Sequence, residues 1–282
     1  MSYKLIGFDL DGTLLNCQHD ITISTLELIK ALKDRGVTIV INTGRSFNAC
    51  IYYAKLIQAD YVIGCNGAFI YHCKDETIDN PYPIEGSIAY KIIEMLYNYA
   101  DEIKIQWDSM DTYYSNNITS FERNYIQNYQ RDFPNDIFNF KIIDNKEDIK
   151  AIQHEEIFQV FFHPIGRDKS TYYSILDDLK MMKDVSLMDF SKEYTDINHM
   201  SVSKGKALEN LASKLEIPSK DILVFGDGNN DISMFQYAGY AIAMENACDE
   251  LKEIAHGITN HHDEEGIAQA LSKIYNLKGI HE

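Results

Sequence analysis

Near its start the chain reads FDLDGTLL, Phe8 to Leu15, with two carboxylates one residue apart at the end of the apolar run YKLIGF. In an extended strand, residues i and i+2 point to the same face. Asp9 and Asp11 can therefore present both carboxylates to one site at a strand's carboxyl end, and Gly12 lets the chain turn sharply away. That end of an open α/β sheet is where ligands bind. Two close carboxylates repel, and a shared proton or a divalent cation relieves the repulsion. A calcium loop of the EF-hand type needs D-x-[DN]-x-[DN]-G. Here glycine directly follows the second aspartate, so that motif fails, and a solvated strand end is the alternative to chemistry.

Three later stretches carry complementary groups. INTGR, Ile41 to Arg45, leaves Thr43 with a hydroxyl and, with Gly44, backbone N–H groups at a helix start, a natural phosphate contact. Lys204, in VSKGKAL, stands at the start of a helix, where a compact positive charge neutralises a phosphoryl group or simply lies on the surface. FGDGNNDISM places Asp227 just past a strand and Asp231 four residues on, with Asn230 beside it. Carboxylates clustered in a loop are good ligands for a hard cation. An acidic turn capping a helix is the alternative.

The order D-x-D-G-T, T-G-R, S-K-G, G-D-x-x-N-D resembles the haloacid dehalogenase (HAD) superfamily. SKGKAL and the tail AMENACDELKEIAHGITNHHDEEGIAQAL are similar to its Cof-type phosphatases, subfamily IIB. The likeness runs from residue 4 to about 80 and from about 195 to 272, and the segment between matches a type C2B cap by position and topology. It implies a doubly wound, mostly parallel Rossmann-like core with an inserted smaller α/β cap, and the activity of a Mg2+-dependent phosphatase. Asp9 is then the nucleophile and Asp11 the general acid, then base. Asp9, Asp11 through its backbone carbonyl, Asp227 and Asp231 would hold Mg2+. Thr43, Gly44, Lys204 and Asn230 would hold the transferring phosphoryl group. These roles suit phosphoryl transfer, which asks for in-line positioning and neutralisation of spreading negative charge. Two positions depart from the pattern. Glu245 stands in AMENA where many relatives carry glycine, and His261–His262 fall where relatives carry small polar residues. A histidine pair can touch a metal or substrate, with a solvated loop as the alternative.

The elements that must position these groups follow from periodicity. YKLIGF, VTIVIN, ADYVIGCNGA, ILVF and YAIAM read as strands, the β-branched runs being typical of burial on both faces. Helical spacing is expected over Ile21–Lys33, Phe47–Ile57, Lys204–Leu215, Ala247–Ala255 and GIAQALSKIY. Such alternation implies βαβ units and a parallel sheet. Pro81 and Pro83 mark a linker, and beyond it come a helix (Ile88–Tyr99), the strand-like runs IKIQW, TYYS, IFQVFF and VSLMDF, and a helix (Ser170–Met181). We therefore expect a catalytic core of residues 1–82 and 193–282 around a cap of residues 83–192. The core handles only phosphate, so choice of substrate would lie in the cap. Trp107, Asp108, Tyr113 and Phe161 are candidate pocket residues there, and Arg45 can also reach the substrate; packing within the cap is the alternative for each aromatic.

Charge and composition exclude several partners. Of 282 residues, 26 are basic and 43 acidic, a net charge of −17. That argues against a nucleic-acid backbone, which needs clustered Lys and Arg, and against an anionic membrane surface. No apolar stretch approaches the ~20 residues that span a bilayer, and no leader pattern opens the chain. Five cysteines without a C-x-x-C pair suit a reduced, cytoplasmic protein. The expected partner is a small phosphorylated metabolite, with sugar phosphates the leading class; no association state is implied. A phosphomutase or phosphotransferase is the second reading. A non-catalytic metabolite sensor is the third, although sensors on this fold lose the carboxylates that this chain keeps.

Overall fold

The computed structural model describes residues 3–189 and 194–277. They form two compact units. One holds the chain up to Arg45, then Tyr53–Pro81, and the chain again from Ser203; the other holds Ser46–Tyr52 and the described part of Tyr82–Val202.

The first unit is built on an eight-stranded sheet in the order Gly257–Ile258, Tyr240–Ala243, Ile222–Gly226, Leu5–Phe8, Thr38–Asn42, Tyr61–Gly64, Phe69–His72, Thr77–Asp79. The first six run parallel, and the last two add an antiparallel edge. Leu5–Phe8 lies near the middle and is wholly buried, because helices cover both faces of a parallel sheet. Phe8 stacks on Phe225 with ring centroids 5.4 Å apart. Connections leave Leu5–Phe8 toward Thr38–Asn42 on one side, whereas Ile222–Gly226 flanks it on the other. The carboxyl ends of these three strands therefore define a switch point, where loops diverge and leave a crevice. The doubly wound, mostly parallel architecture expected above is what forms.

The second unit holds a six-stranded sheet ordered Val185–Asp189, Thr195–His199, Gln159–Pro164, Ile103–Asp108, Tyr113–Ser115, Phe140–Ile142. All neighbours are antiparallel except the last pair. Strand alternation gives it one apolar face. Ile103, Ile105, Trp107, Tyr114, Val160, Phe162 and Ile197 pack there with Ile92, Ile93 and Leu96 of the helix Gly86–Tyr97 and with Tyr172 and Leu179 of Ser170–Lys180. The expected return of the chain at 193 lies outside the described residues. The strand after it, Thr195–His199, pairs within this second sheet, so the unit extends to Val202. No helix among the described residues is long and apolar enough to cross a membrane.

Candidate active site

Three loop-bound carboxylates and one lysine meet at the switch point of the first unit. Asp9 directly follows the strand Leu5–Phe8. Lys204 opens the helix Lys204–Lys214, which Ser203 caps by accepting the Lys206 N–H at 3.2 Å. The neighbouring glycine explains why this lysine goes inward. A Cβ on Gly205 would lie 2.2 Å from the carbonyl oxygen of Ser233, so only glycine lets the helix start pack so closely. Asn42 Nδ2 also donates to the Lys204 carbonyl at 3.1 Å. The fully buried ammonium then donates to Asp9 Oδ1 and Asp231 Oδ1, both at 2.6 Å.

The acidic loop after Ile222–Gly226 is equally determined. Asp231 Oδ2 accepts the backbone N–H groups of Asp227 at 2.9 Å and Gly228 at 3.0 Å, closing the turn on itself. Asp227 Oδ1 accepts the Thr13 hydroxyl at 2.7 Å, and its Oδ2 lies 3.4 Å from Asn246 Nδ2. Asn246 Nδ2 also donates to the Gly12 carbonyl at 2.8 Å. Gly12 has φ +71°, and a Cβ there would stand 2.3 Å from Asp227 Oδ2. The glycine of D-G-T is thus required twice, by its left-handed conformation and by the approach of this carboxylate.

Oxygen atoms of Asp9, Asp227 and Asp231 lie within 4.8 Å of one another. One ammonium does not balance three carboxylates. Burial pushes Asp9 well above the usual carboxylate range, with Lys204 opposing it and Asp231 and Asp227 adding to it. Burial, and then the charge of Asp231, push Asp227 up to about 7. Lys204 is held charged: the two carboxylates outweigh the cost of burying it. An all-oxygen set short of positive charge fits a hard divalent cation such as Mg2+.

The other expected residues divide. Since Phe8 pairs with Ile41, Thr43 lies just past Asn42 at the same sheet edge as Asp9. It is buried, and its hydroxyl accepts the Arg45 N–H at 3.1 Å. Gly44 sits in the bend after it. Asn230 Nδ2 donates to Asn66 Oδ1 at 3.0 Å. Asp11 departs from the strand-face argument. The strand stops at Phe8, and the chain then makes a wide turn closed by Leu14 N–H to the Asp9 carbonyl at 3.2 Å and Leu15 N–H to the Leu10 carbonyl at 2.9 Å, so the two aspartates are not alternate residues of one strand. Its half-exposed carboxylate stands outside the acidic cluster. It accepts from Arg45, at 2.7 Å from Nε to Oδ2 and 2.5 Å from Nη2 to Oδ1. Its partial loss of water is outweighed by Arg45 and His19, which hold its carboxyl well below the ordinary range. Arg45 itself lies over the Tyr53 ring, 5.1 Å from its centroid.

In the second unit one expectation needs correction. Trp107 is fully buried in the apolar core, stacked on Tyr114 at 5.6 Å; it is no pocket residue. Its neighbour Asp108 faces the other side of the sheet, as do Tyr113 and Phe161 by their strand register. That face is polar. Tyr113 donates to Gln106 Oε1 at 2.5 Å and also to Glu122, which binds Lys104, while Gln106 donates to Asp108 at 2.9 Å. Burial pushes Asp108 up to about 7, against the pull of Gln106 and Ser46. Sequence reasoning missed Thr13, Asn66 and Asn246. Thr13 stood within D-G-T, and Asn246 followed the noted Glu245; their partners lie 214 and 234 residues away.

The chain belongs to the haloacid dehalogenase-like hydrolases, the family that matches residues 6–271. It is 31% identical over 283 residues to YxeH of Bacillus subtilis (strain 168), covering 98% of this chain and 100% of that protein. It is also 27% identical over 270 residues to the 5-amino-6-(5-phospho-D-ribitylamino)uracil phosphatase YcsE of the same strain, covering 95% and 94%. Among solved structures, the HAD subclass IIB sugar phosphatase BT4131 shares the fold, with a TM-score of 0.73, 21% identity, and coverage of 98% of this chain and 100% of that one.

Proposed function

We propose that this hydrolase is a cytoplasmic, Mg2+-dependent phosphatase of small phosphorylated metabolites, sugar phosphates foremost, acting through an aspartyl phosphate on Asp9. The observation that carries the reading is the buried Asp9–Lys204–Asp231 bridge at the switch point, with Asp227 beside it. A carboxylate attacks a phosphate dianion only where positive charge suppresses their repulsion. Lys204 supplies part of that charge from 2.6 Å. Asp9, Asp227, Asp231 and the Asp11 carbonyl would hold Mg2+, which when bound supplies the remainder. Thr43, the Gly44 N–H, Lys204 and Asn230 take the phosphoryl oxygens.

Attack by Asp9 forms a P–O bond to its carboxylate and breaks the bond to the leaving alcohol, which takes a proton from Asp11. Asp11 then removes a proton from water, whose attack on phosphorus frees Asp9 and inorganic phosphate. Paired with Arg45, Asp11 has no proton to give at neutral pH. To act as the acid it must exchange the guanidinium for the leaving oxygen, where a raised pKa suits the task. Asp108, Tyr113 and Phe161 are the candidates for contacting the organic part of the substrate. The reading also rests on relatives named phosphatases, on the absence of an apolar spanning helix among the described residues, and on five cysteines without a C-x-x-C pair.

The test is release of inorganic phosphate from a panel of phosphorylated metabolites, with metal-free and Asp9→Asn controls. Turnover of several sugar phosphates with both controls inactive supports the proposal. Isomerised sugar phosphate without free phosphate would show a phosphomutase instead, and ligand binding without turnover a sensor.

A further inference from the structure

The cluster described above offers only oxygen. A second cluster in the same unit has different chemistry. The loop between Gly257–Ile258 and the helix Gly266–Tyr275 carries His261, His262 and Asp263 in succession, and one donor atom from each lies within 4.8 Å of the other two. The imidazole rings stand 4.5 Å apart.

His262 and Asp263 are each oriented by a contact that leaves a donor atom over. His262 Nδ1 lies 2.7 Å from the Leu15 carbonyl. A carbonyl can only accept, so this nitrogen carries the proton and Nε2 keeps its lone pair. Histidine ligands are usually held this way, with the far N–H on a backbone carbonyl. Asp263 Oδ1 accepts the Cys17 backbone N–H at 2.7 Å, and its Oδ2 lies 3.7 Å from His261 Nδ1. That His261 nitrogen accepts the Asp263 N–H at 3.2 Å, so it holds the lone pair and Nε2 the proton; a metal would take that lone pair in place of the N–H. The Cys17 thiol adjoins the same carboxylate and accepts from Gln18 Nε2 at 2.8 Å.

The geometry points to a second metal site at His261, His262 and Asp263 that takes a borderline divalent transition ion of the Zn2+, Co2+ or Ni2+ type. Two imidazoles and one carboxylate favour such ions, whereas the Asp9–Asp227–Asp231 set favours Mg2+. Both histidines bind in their neutral form. The inference goes beyond the proposed activity and does not depend on it. It also gives the site a mechanical link to the acidic cluster. Asn246 Oδ1 accepts the His262 N–H at 3.2 Å, while its Nδ2 holds the Gly12 carbonyl. The loop further grips Leu15 and Cys17, the residues by which the chain leaves the Asp9–Gly12 turn.

Cobalt titration of the full chain tests this, with excess Mg2+ present to fill the oxygen site. The expected result is one Co2+ per chain with the intense visible d–d bands of a low-coordinate nitrogen site, equally in wild type and Asp9→Asn. His261→Ala should weaken binding by more than ~100-fold, beyond the loss typical of groups that only support a ligand, with its metal-free thermal midpoint unchanged. His262→Ala provides a second variant, because its loss also frees Leu15. Displacement of Co2+ by Mg2+, loss of the bands in Asp9→Asn, or undiminished binding in both histidine variants would overturn the proposal.

Discussion

The three clustered carboxylates make the metal-free protein sensitive to pH in a direction opposite to ordinary surface acids. Asp227 is pushed from 3.8 to about 7. A carboxyl whose folded pKa is raised contributes its full stability below the unfolded value and loses it as pH rises through the folded value. Between those values the unfolded chain has released the proton that the folded chain still holds. The window is therefore about pH 4 to 7. A shift of roughly three units, at about 1.4 kcal/mol each, sets an upper bound of about 4 kcal/mol. Asp227→Asn removes the titration while leaving an oxygen to accept from Thr13. The measurable quantity is the stability of wild type minus that of Asp227→Asn, in EDTA, from pH 4 to 8. Fluorescence would report the wrong unit, because the single tryptophan, Trp107, lies in the second. Amide hydrogen exchange in the strands Leu5–Phe8 and Ile222–Gly226 reports the first unit, and comparison at equal pH cancels the intrinsic exchange rates. The difference should fall by up to about 4 kcal/mol across the window, and saturating Mg2+ should abolish the fall by favouring the charged form. A flat or rising difference in EDTA would refute the account of charge imbalance.

Three further outcomes follow from the same geometry. Lys204→Met leaves Asp9 and Asp231 buried without their shared cation, so phosphatase kcat should drop by ~10²–10³-fold. The first unit should lose about 3–5 kcal/mol without metal, a loss that Mg2+ partly restores in exchange measurements. Arg45→Ala removes the guanidinium that holds Asp11 low, so the corresponding limb of the kcat/KM pH profile should move to higher pH; an unmoved limb would mean that Asp11 does not govern it. Trp107→Ala empties a core position and should cost the second unit about 3–5 kcal/mol, read by urea unfolding with circular dichroism. A surface-like loss below about 0.5 kcal/mol would contradict its burial.

What the sequence determined by itself is local. The runs LIGF, TIVIN and ILVFG are apolar on both faces, so a two-sided parallel sheet was legible before any contact was known. Asp9, Thr43, Lys204 and Asp227 follow strands or open helices, and those positions are set by nearby chain geometry. The one-sided character of the second sheet was legible as alternation, but its phase was not. Trp107 and Asp108 are neighbours that must face opposite ways, and only the pairing with Gln159–Pro164 and Tyr113–Ser115 decides which faces the core. The partnership of Asp11 with Arg45 was hidden for a related reason. The strand ends one residue before Asp9, and a turn that no spacing rule reveals carries Asp11 to a guanidinium 34 residues away. Asn246 reaches Gly12 across 234 residues, and His262 reaches Leu15 across 247. Propensity and periodicity act over a few residues, so they place groups at the ends of elements. Hydrogen bonds between distant loops depend on how those elements pack, and that is what only the tertiary structure decided.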